Sequence, residues 1–509
     1  MSELLPNPRI PRVSQAPGRV SKAALDKLDQ LIVVVPATVP NAVWAKLPDG
    51  AHLRTLSRRA GKDAQLRSRL KNTAATGIVV GRLPKPEADG SISTFDLLTC
   101  VGKLVADALT DDPRSLGLLV AGVDDTRAEA IARAFTLATL AHTFQLPAFR
   151  KSSPKAPKLK ALKILGLAED IDLEREQTEA EAVNLARWLT VLPANKLDAS
   201  SYRDILKGLA KTNGWKMEFL DETRLKKLGA GAFLAVSQGN ATRDAGIVKL
   251  RYRPSGATAK PALTLVGKGI VFDTGGNNLK PFKSMLDMHE DMCGSAVAVA
   301  TLQALTRIEY PHPVDCWLAI TENRIDAAAY KSRDIVTAAN GVTIEVIHTD
   351  AEGRMVLADA LALAGKDEPK VIIDYATLTG ACVYALTERY SGVFTNRRAL
   401  NSLLIETGTS SGERVWPFPM DADFDEDIKS KVADVVQCSV SGEADQILAA
   451  RFLRRFVPKK STWIHMDLSA ATRKKGLAQV PAGATGFGVR YTLNLLLDQA
   501  DKLEHLSGE

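Results

Sequence analysis

The sequence predicts an α/β protein in two parts. A small N-terminal α/β domain spans residues 1–172. A larger C-terminal domain spans 173–509, with a mixed, largely parallel sheet between helices. Three observations lead there. The chain has 509 residues, more than one hydrophobic core serves. Apolar strand-like runs alternate with stretches of helical apolar spacing along most of its length. Those strand-like runs are apolar at nearly every position, as in a sheet covered on both faces.

In the N-terminal part, LIVVV (31–35), GIVV (77–80) and LGLLVAG (116–122) predict buried strands, and residues 97–109 and 127–144 predict helices. KSSPKAPKLKALK (151–163) carries no acidic residue and reads as a solvated linker. LKILGL (162–167) predicts one more strand, and an acidic helix over 173–192 leads into the second part. There the predicted strands are LTLVGKG, CWLAIT, TIEVI, VIIDYA and WIHMDL, with helices over 294–308, 352–365 and 447–456.

Composition narrows the class. Hydrophobic residues make up 45% and charged residues 25%, as in ordinary globular chains. Five scattered cysteines without CxxC spacing exclude a thiolate zinc site and a disulfide framework, and fit a reducing compartment. The polar, proline-rich start lacks a secretory apolar core, and no run is long enough to span a membrane, so the expected location is the cytoplasm. Formal net charge is +7. A phosphate-facing surface that touches nucleic acid is therefore the alternative reading of the 151–163 run.

In open α/β sheets, ligands bind beyond the carboxyl ends of the strands. The polar residues collect there: Lys268, Asp273 and Lys280 after LTLV, Asp291 before a helix, Asp350, Glu352 and Arg354 after TIEVI, and Thr377 and Thr379 after VIIDYA. This places them all at the edge of one sheet. Four carboxylates crowded into a cleft repel one another, so they raise their pKa values or take up cations. Two divalent ions balance Asp273, Asp291, Asp350 and Glu352, and oxygen ligands suit zinc or manganese, with magnesium or cobalt also compatible. Each acid alone reads better as a surface ion-pair partner or a helix cap, Asp291 before its helix above all. The flanking glycines (GKG, FDTGG, DMCG, DAEGR) favour a ligand site, because they let backbone approach closely. None of the seven histidines stands at HExxH spacing, and His465 reads as a core histidine.

VGKGIVFDTGGNNLKP, DMCGSA, HTDAEGRMVLADALA and ATLTGA together resemble the leucyl aminopeptidase family, the M17 peptidases. HTDAEGRM matches that family's NTDAEGRL signature, and the similarity covers about residues 180–495. The resemblance implies a dinuclear metallo-aminopeptidase. Asp273 and Glu352 bridge the two metals, Asp350 completes one site, and Lys268 and Asp291 complete the other. It implies that Lys280 binds the developing oxyanion and that Arg354 holds a bicarbonate ion as general base. Met288, Thr377 and Leu378 line the first side-chain pocket, and substrates are peptides with a free N-terminus. A homohexamer is implied as well; some bacterial members bind DNA, which is the alternative function, and a binuclear phosphohydrolase is a more distant rival. His348 replaces the family's asparagine at a substrate-facing position. It either keeps the asparagine's hydrogen bonds or narrows the pocket.

Overall fold

The computed structural model describes residues 4–61, 65–152, 155–257 and 259–508. The chain forms two compact units, the smaller built mainly on Asn7–Glu181 and the larger mainly on Ala182–Arg473. A later stretch, Lys474–Gly483, returns to the smaller unit.

The smaller unit holds six strands: β1 (Arg12–Ala16), β2 (Gln30–Val35), β3 (Leu66–Arg69), β4 (Gly77–Arg82), β5 (Ser115–Val120) and β6 (Ala161–Leu165), in the order β1-β6-β5-β2-β4-β3. Every pairing is parallel except β3 with β4. The unbroken apolar run of β2 follows from burial on both sides. Ile32 and Val34 face a core with the Thr94–Leu109 and Asp125–Thr143 helices, while Leu31, Val33 and Val35 face one with Trp44 and Leu53. The proline-rich start contains a strand that was not among the predicted ones, β1, which pairs with β6. The basic run is not a connection between the units: it lies within the smaller one, and its last three residues, Ala161 to Lys163, open β6 inside that sheet. Residues 153 and 154 of that run lie outside the described residues.

The larger unit's main sheet has eight strands, β7 (Lys216–Asp221), β8 (Gly246–Tyr252), β9 (Leu263–Asp273), β10 (Val314–Asn323), β13 (Val371–Ala376), β14 (Ser391–Thr395), β15 (Val415–Pro417) and β17 (Thr462–Asp467). Their order is β15-β14-β17-β13-β9-β10-β8-β7. The central pairs β17–β13–β9–β10 are parallel, and antiparallel pairs flank them. Three short strands, β11 (Ile335–Thr337), β12 (Thr343–Glu345) and β16 (Val435–Val436), form a separate sheet. TIEVI therefore does not belong to the main sheet, and the polar residues after it do not share one sheet edge with the others.

Two buried helices cover the main sheet. Every residue of the Glu352–Gly365 helix is buried, and it packs in one core with Val266 and Ile270 of β9. On the other face lies the Cys293–Arg307 helix, buried from Cys293 to Leu305. A Cβ at Gly267 would stand 2.4 Å from Ser295 Cα, and one at Gly294 would stand 2.1 Å from Tyr375 O. These two glycines let helix and sheet approach; their reason is packing, not a ligand.

Candidate metal centre

Lys268 and Asp273 lie five positions apart on β9, which on an unbroken strand sends them to opposite faces. A bulge corrects this. β9 pairs Ile270 with Thr321 and next Phe272 with Glu322, leaving Val271 as the extra residue. Both side chains then meet Glu352, which opens its helix. Lys268 Nζ lies 3.0 Å from Glu352 Oε1. Asn323, at the end of β10, donates from Nδ2 to Asp273 Oδ1 at 2.8 Å and to Glu352 Oε2 at 3.4 Å.

The other groups arrive on loops. After Asp273 the chain turns at Gly275 (φ 85), where a Cβ would strike Asn278 O at 2.5 Å. It returns Lys280, whose Nζ lies 3.0 Å from Asp273 Oδ2 and 2.5 Å from Asp350 Oδ1. Asp291 follows a single turn, Met288–Glu290. Its Oδ1 accepts from Lys268 Nζ at 2.8 Å and Thr377 Oγ1 at 2.8 Å, while Oδ2 is buried with no partner among the described residues. The loop bearing Asp350 is tied down at Thr349, which donates to Gly275 O at 2.6 Å and accepts from Tyr330 at 2.8 Å.

Asp273, Asp350 and Glu352 each offer an oxygen, and these oxygens lie within 4.8 Å of one another. Such crowding shows in the charges. Burial, then the negative charges of Glu352 and Asp273, push Asp350 up to about 7. Burial also pushes Asp291 up to about 7, against the pull of Lys268. Asp273 is raised by burial and by Glu352. Glu352 goes the other way: burial raises it, but Lys268 and Lys280 together hold it below the usual range. Burial lowers Lys268, yet Asp291, Glu352 and Asp273 outweigh it and hold its pKa above the ordinary lysine value. Two lysines thus lie interleaved among four acids. A lysine can ligate a metal only when neutral, so Lys268 as a ligand would need divalent charge close beside it.

The residues line a cleft of about 410 Å³, together with Met288, Thr377, Leu378, Glu290, Glu388, Val383, Asp467 and Thr472. Burial and the neighbouring Asp287 push Glu290 up to about 7. His348 and Arg354 are not part of this lining. His348 Nδ1 instead accepts from the Asp350 N–H at 3.3 Å, as an asparagine oxygen does two residues back in a turn. Burial, then Lys280, lower its pKa, which keeps Nδ1 free to accept. Arg354 is 2% exposed, and its Nη2 is 2.7 Å from Asp445 Oδ1 while Nη1 donates to Gln437 O at 3.1 Å. His465 is a core histidine: its Nδ1 is 2.6 Å from Asp374 Oδ1, between the rings of Phe394 and Trp463.

The family model for the catalytic domain of the cytosol aminopeptidase family matches residues 184–493, more than half of the chain and all of the residues just described. The chain belongs to that family. The probable cytosol aminopeptidase of Chlorobaculum tepidum is 42% identical over 315 residues, 62% of either chain. The one from Stutzerimonas stutzeri is 39% identical over 356 residues, covering 69% of this chain and 70% of its own. The match with the Chlorobaculum tepidum relative spans less than two thirds of that protein. Structural similarity reaches further. A mutant of tomato leucine aminopeptidase superposes with a TM-score of 0.83 at 28% identity, covering 96% of this chain and 97% of its own. The bottromycin maturation enzyme BotP in complex with Mn gives 0.79 at 29%, covering 93% and 99%.

Within this cytosol aminopeptidase family member, sequence reading overlooked Asn323, which ties Asp273 to Glu352, and Asp467, which accepts from Thr379 Oγ1 at 2.6 Å and from the Leu378 N–H at 3.1 Å. Both end strands of the parallel core, β10 and β17, and that position was the available signal. Among the described residues, no helix is long and apolar enough to cross a membrane.

Proposed function

We propose that this chain is a metal-dependent aminopeptidase that releases N-terminal residues from peptides, working in the cytoplasm as a homohexamer. The observation that carries the reaction is the convergence of Asp273, Asp350 and Glu352 within 4.8 Å, with Asp291 Oδ2 buried and unpartnered beside them. A buried carboxylate oxygen without a donor is costly, and a cation removes the cost. The donor set fits two divalent ions, which Asp273, Glu352, Asp350, Lys268 and Asp291 would hold. Carboxylates and one amine favour zinc or manganese. When bound, such ions supply Lewis acidity to a peptide carbonyl and acidify a water.

The chain's own groups do the rest. Lys280 is held as a cation: burial lowers its pKa, but Asp273, Glu352 and Asp350 raise it further, and its ammonium stands ready for the charge that develops on the carbonyl oxygen. Asn323 and Thr349 fix the acid-bearing loops, and His348 orients the Asp350 backbone. Met288, Thr377 and Leu378 stand along the cleft where the first side chain lies. Bicarbonate on Arg354 finds little support in these residues: the guanidinium is buried, pairs with Asp445 and Gln437 O and is absent from the cleft wall, with its Nε unpartnered among the described residues, so no step is assigned to that ion.

Glu352→Gln keeps the shape and removes the charge that two lysines and the metals share. We expect it to abolish hydrolysis of aminoacyl coumarylamides and to lower bound metal, measured by atomic emission, with an unchanged circular dichroism spectrum. Full activity in that variant, or in wild type after exhaustive chelation, refutes the assignment.

A further inference from the structure

We propose that the cleft selects peptides whose first side chain is long and cationic, lysine or arginine, and that Glu290 is the residue that selects it. The inference rests on the aminopeptidase reading and names its substrate class. Beyond the proposed metal ligands, the cleft wall carries the acids Asp287, Glu290, Glu388 and Asp467, the last of them held by Thr379 and the Leu378 N–H. Its basic side chains among the described residues are Lys268 and Lys280, and both are spent on metal-site carboxylates. The wall therefore holds surplus negative charge even after two divalent ions balance Asp273, Asp291, Asp350 and Glu352.

Glu290 is the sharpest part of that surplus. It is partly buried, it makes no ion pair, and its carboxyl has no hydrogen-bond partner among the described residues. Glu388 is less exposed to this argument, because the charge of Arg473 acts with it. Met288 lies two positions before Glu290 on the same turn, and Val383 and Leu378 line the cleft with it. A lysine or arginine side chain matches this order, its methylene stem along the apolar residues and its charged head at the carboxyl. A leucine side chain there removes water from Glu290 and gives it no partner, a penalty that a cationic side chain reverses. A charge-assisted pair in a partly buried cleft discriminates by about tenfold to a hundredfold.

The test uses the manganese-loaded protein and coumarylamides of arginine, lysine, norleucine and leucine. Norleucine keeps the lysine stem and lacks the charge. We expect kcat/KM for lysine and arginine to exceed that for norleucine and leucine by about tenfold or more. Glu290→Gln should lower the lysine-to-norleucine ratio by about tenfold, chiefly through KM. The ratio comes from one preparation, so a partly misfolded variant does not disturb it. Norleucine or leucine equal to lysine and arginine in wild type overturns the inference, as does a ratio unchanged in Glu290→Gln. Hydrolysis of none of the four overturns the aminopeptidase reading together with it.

Discussion

A methyl group at Gly353 tests the metal centre without touching a ligand. Gly353 follows Glu352 in a buried helix, and the space where a Cβ would sit is already taken: Lys268 Cε lies 2.6 Å away, Lys268 Nζ 2.8 Å and Leu378 Cδ1 3.0 Å. Contact between such atoms needs about 3.5–4.0 Å, so the end of Lys268 must retreat by about 1 Å. Its ammonium holds Asp291 Oδ1 at 2.8 Å, Glu352 Oε1 at 3.0 Å and Thr377 O at 2.9 Å. A retreat of that size carries these contacts beyond hydrogen-bond range.

Two effects compete in Gly353→Ala. Alanine is worth about 1 kcal/mol over glycine in a helix interior. Losing one or two charge-assisted hydrogen bonds costs about 2–5 kcal/mol, so displacement wins and the apo protein melts a few degrees lower. The larger effect is on metal. Ligand positions tolerate about 0.2 Å, and a ligand moved by about 1 Å weakens binding on the order of a hundredfold. Titration calorimetry with Mn²⁺ reads the affinity and circular dichroism the fold. Gly380→Ala is the control, because its Cβ would meet only Tyr384 Cε2, at an ordinary 3.9 Å. Manganese affinity in Gly353→Ala within twofold of wild type refutes the reasoning and removes Lys268 from the metal ligands.

Three further outcomes follow from particular contacts. His348→Asn should retain wild-type kcat/KM and pH profile, since either side chain accepts from the Asp350 N–H; a moved profile on steady-state assay counts against that role. Asp445→Ala leaves the buried Arg354 without its counter-ion, at a cost of about 3–5 kcal/mol. Bicarbonate should raise the melting temperature of that variant and leave wild type unmoved, and an equal rise in both shows that Arg354 is open to anions after all. Asp359 is fully buried, and burial pushes it up to about 7 from the ordinary 3.8 against three backbone N–H donors, those of Phe233, Ala339 and Ala232. The folded chain keeps a proton there that the unfolded chain has lost, so this contribution is complete below pH 4 and disappears as pH rises through 7. It amounts to roughly 4 kcal/mol. Asp359→Asn should flatten the fall in stability between about pH 4 and 7 on denaturant melts, and parallel curves would count against it.

Much of this arrangement was legible because each part has a local cause. Strands such as LIVVV are apolar throughout because both faces are covered, and the Glu352–Gly365 helix appears at its predicted bounds because its residues pack on every side. The acid-rich loops were legible because few folds place Asp273, Asp291, Asp350 and Glu352 among so many small residues without bringing them together. Other features have no sequence signal. The Val271 bulge depends on register between β9 and β10, and Asn323 looks like any strand-ending asparagine until Asp273 is opposite it. TIEVI has the composition of a core strand, yet β12 pairs with β11 and β16 because its neighbours in space are set by tertiary packing. Arg354 and Asp445 are 91 residues apart, and nothing in either segment announces the ion pair.

The bulge and the lysines answer the same electrostatic problem. A strand without Val271 as an extra residue would direct Lys268 away from Glu352 or Asp273 away from it, leaving the acids without an interposed cation. With the bulge, Lys268 lies between Asp291 and Glu352, and Lys280 lies between Asp273 and Asp350. Three buried carboxylates and the half-buried Asp350 can then be packed together in the folded chain, because each has an ammonium within 3.0 Å. On the proposed assignment, folding and metal binding would be separable. Lys268 would have to give up its proton to serve as a ligand, so metal affinity would tighten as pH rises.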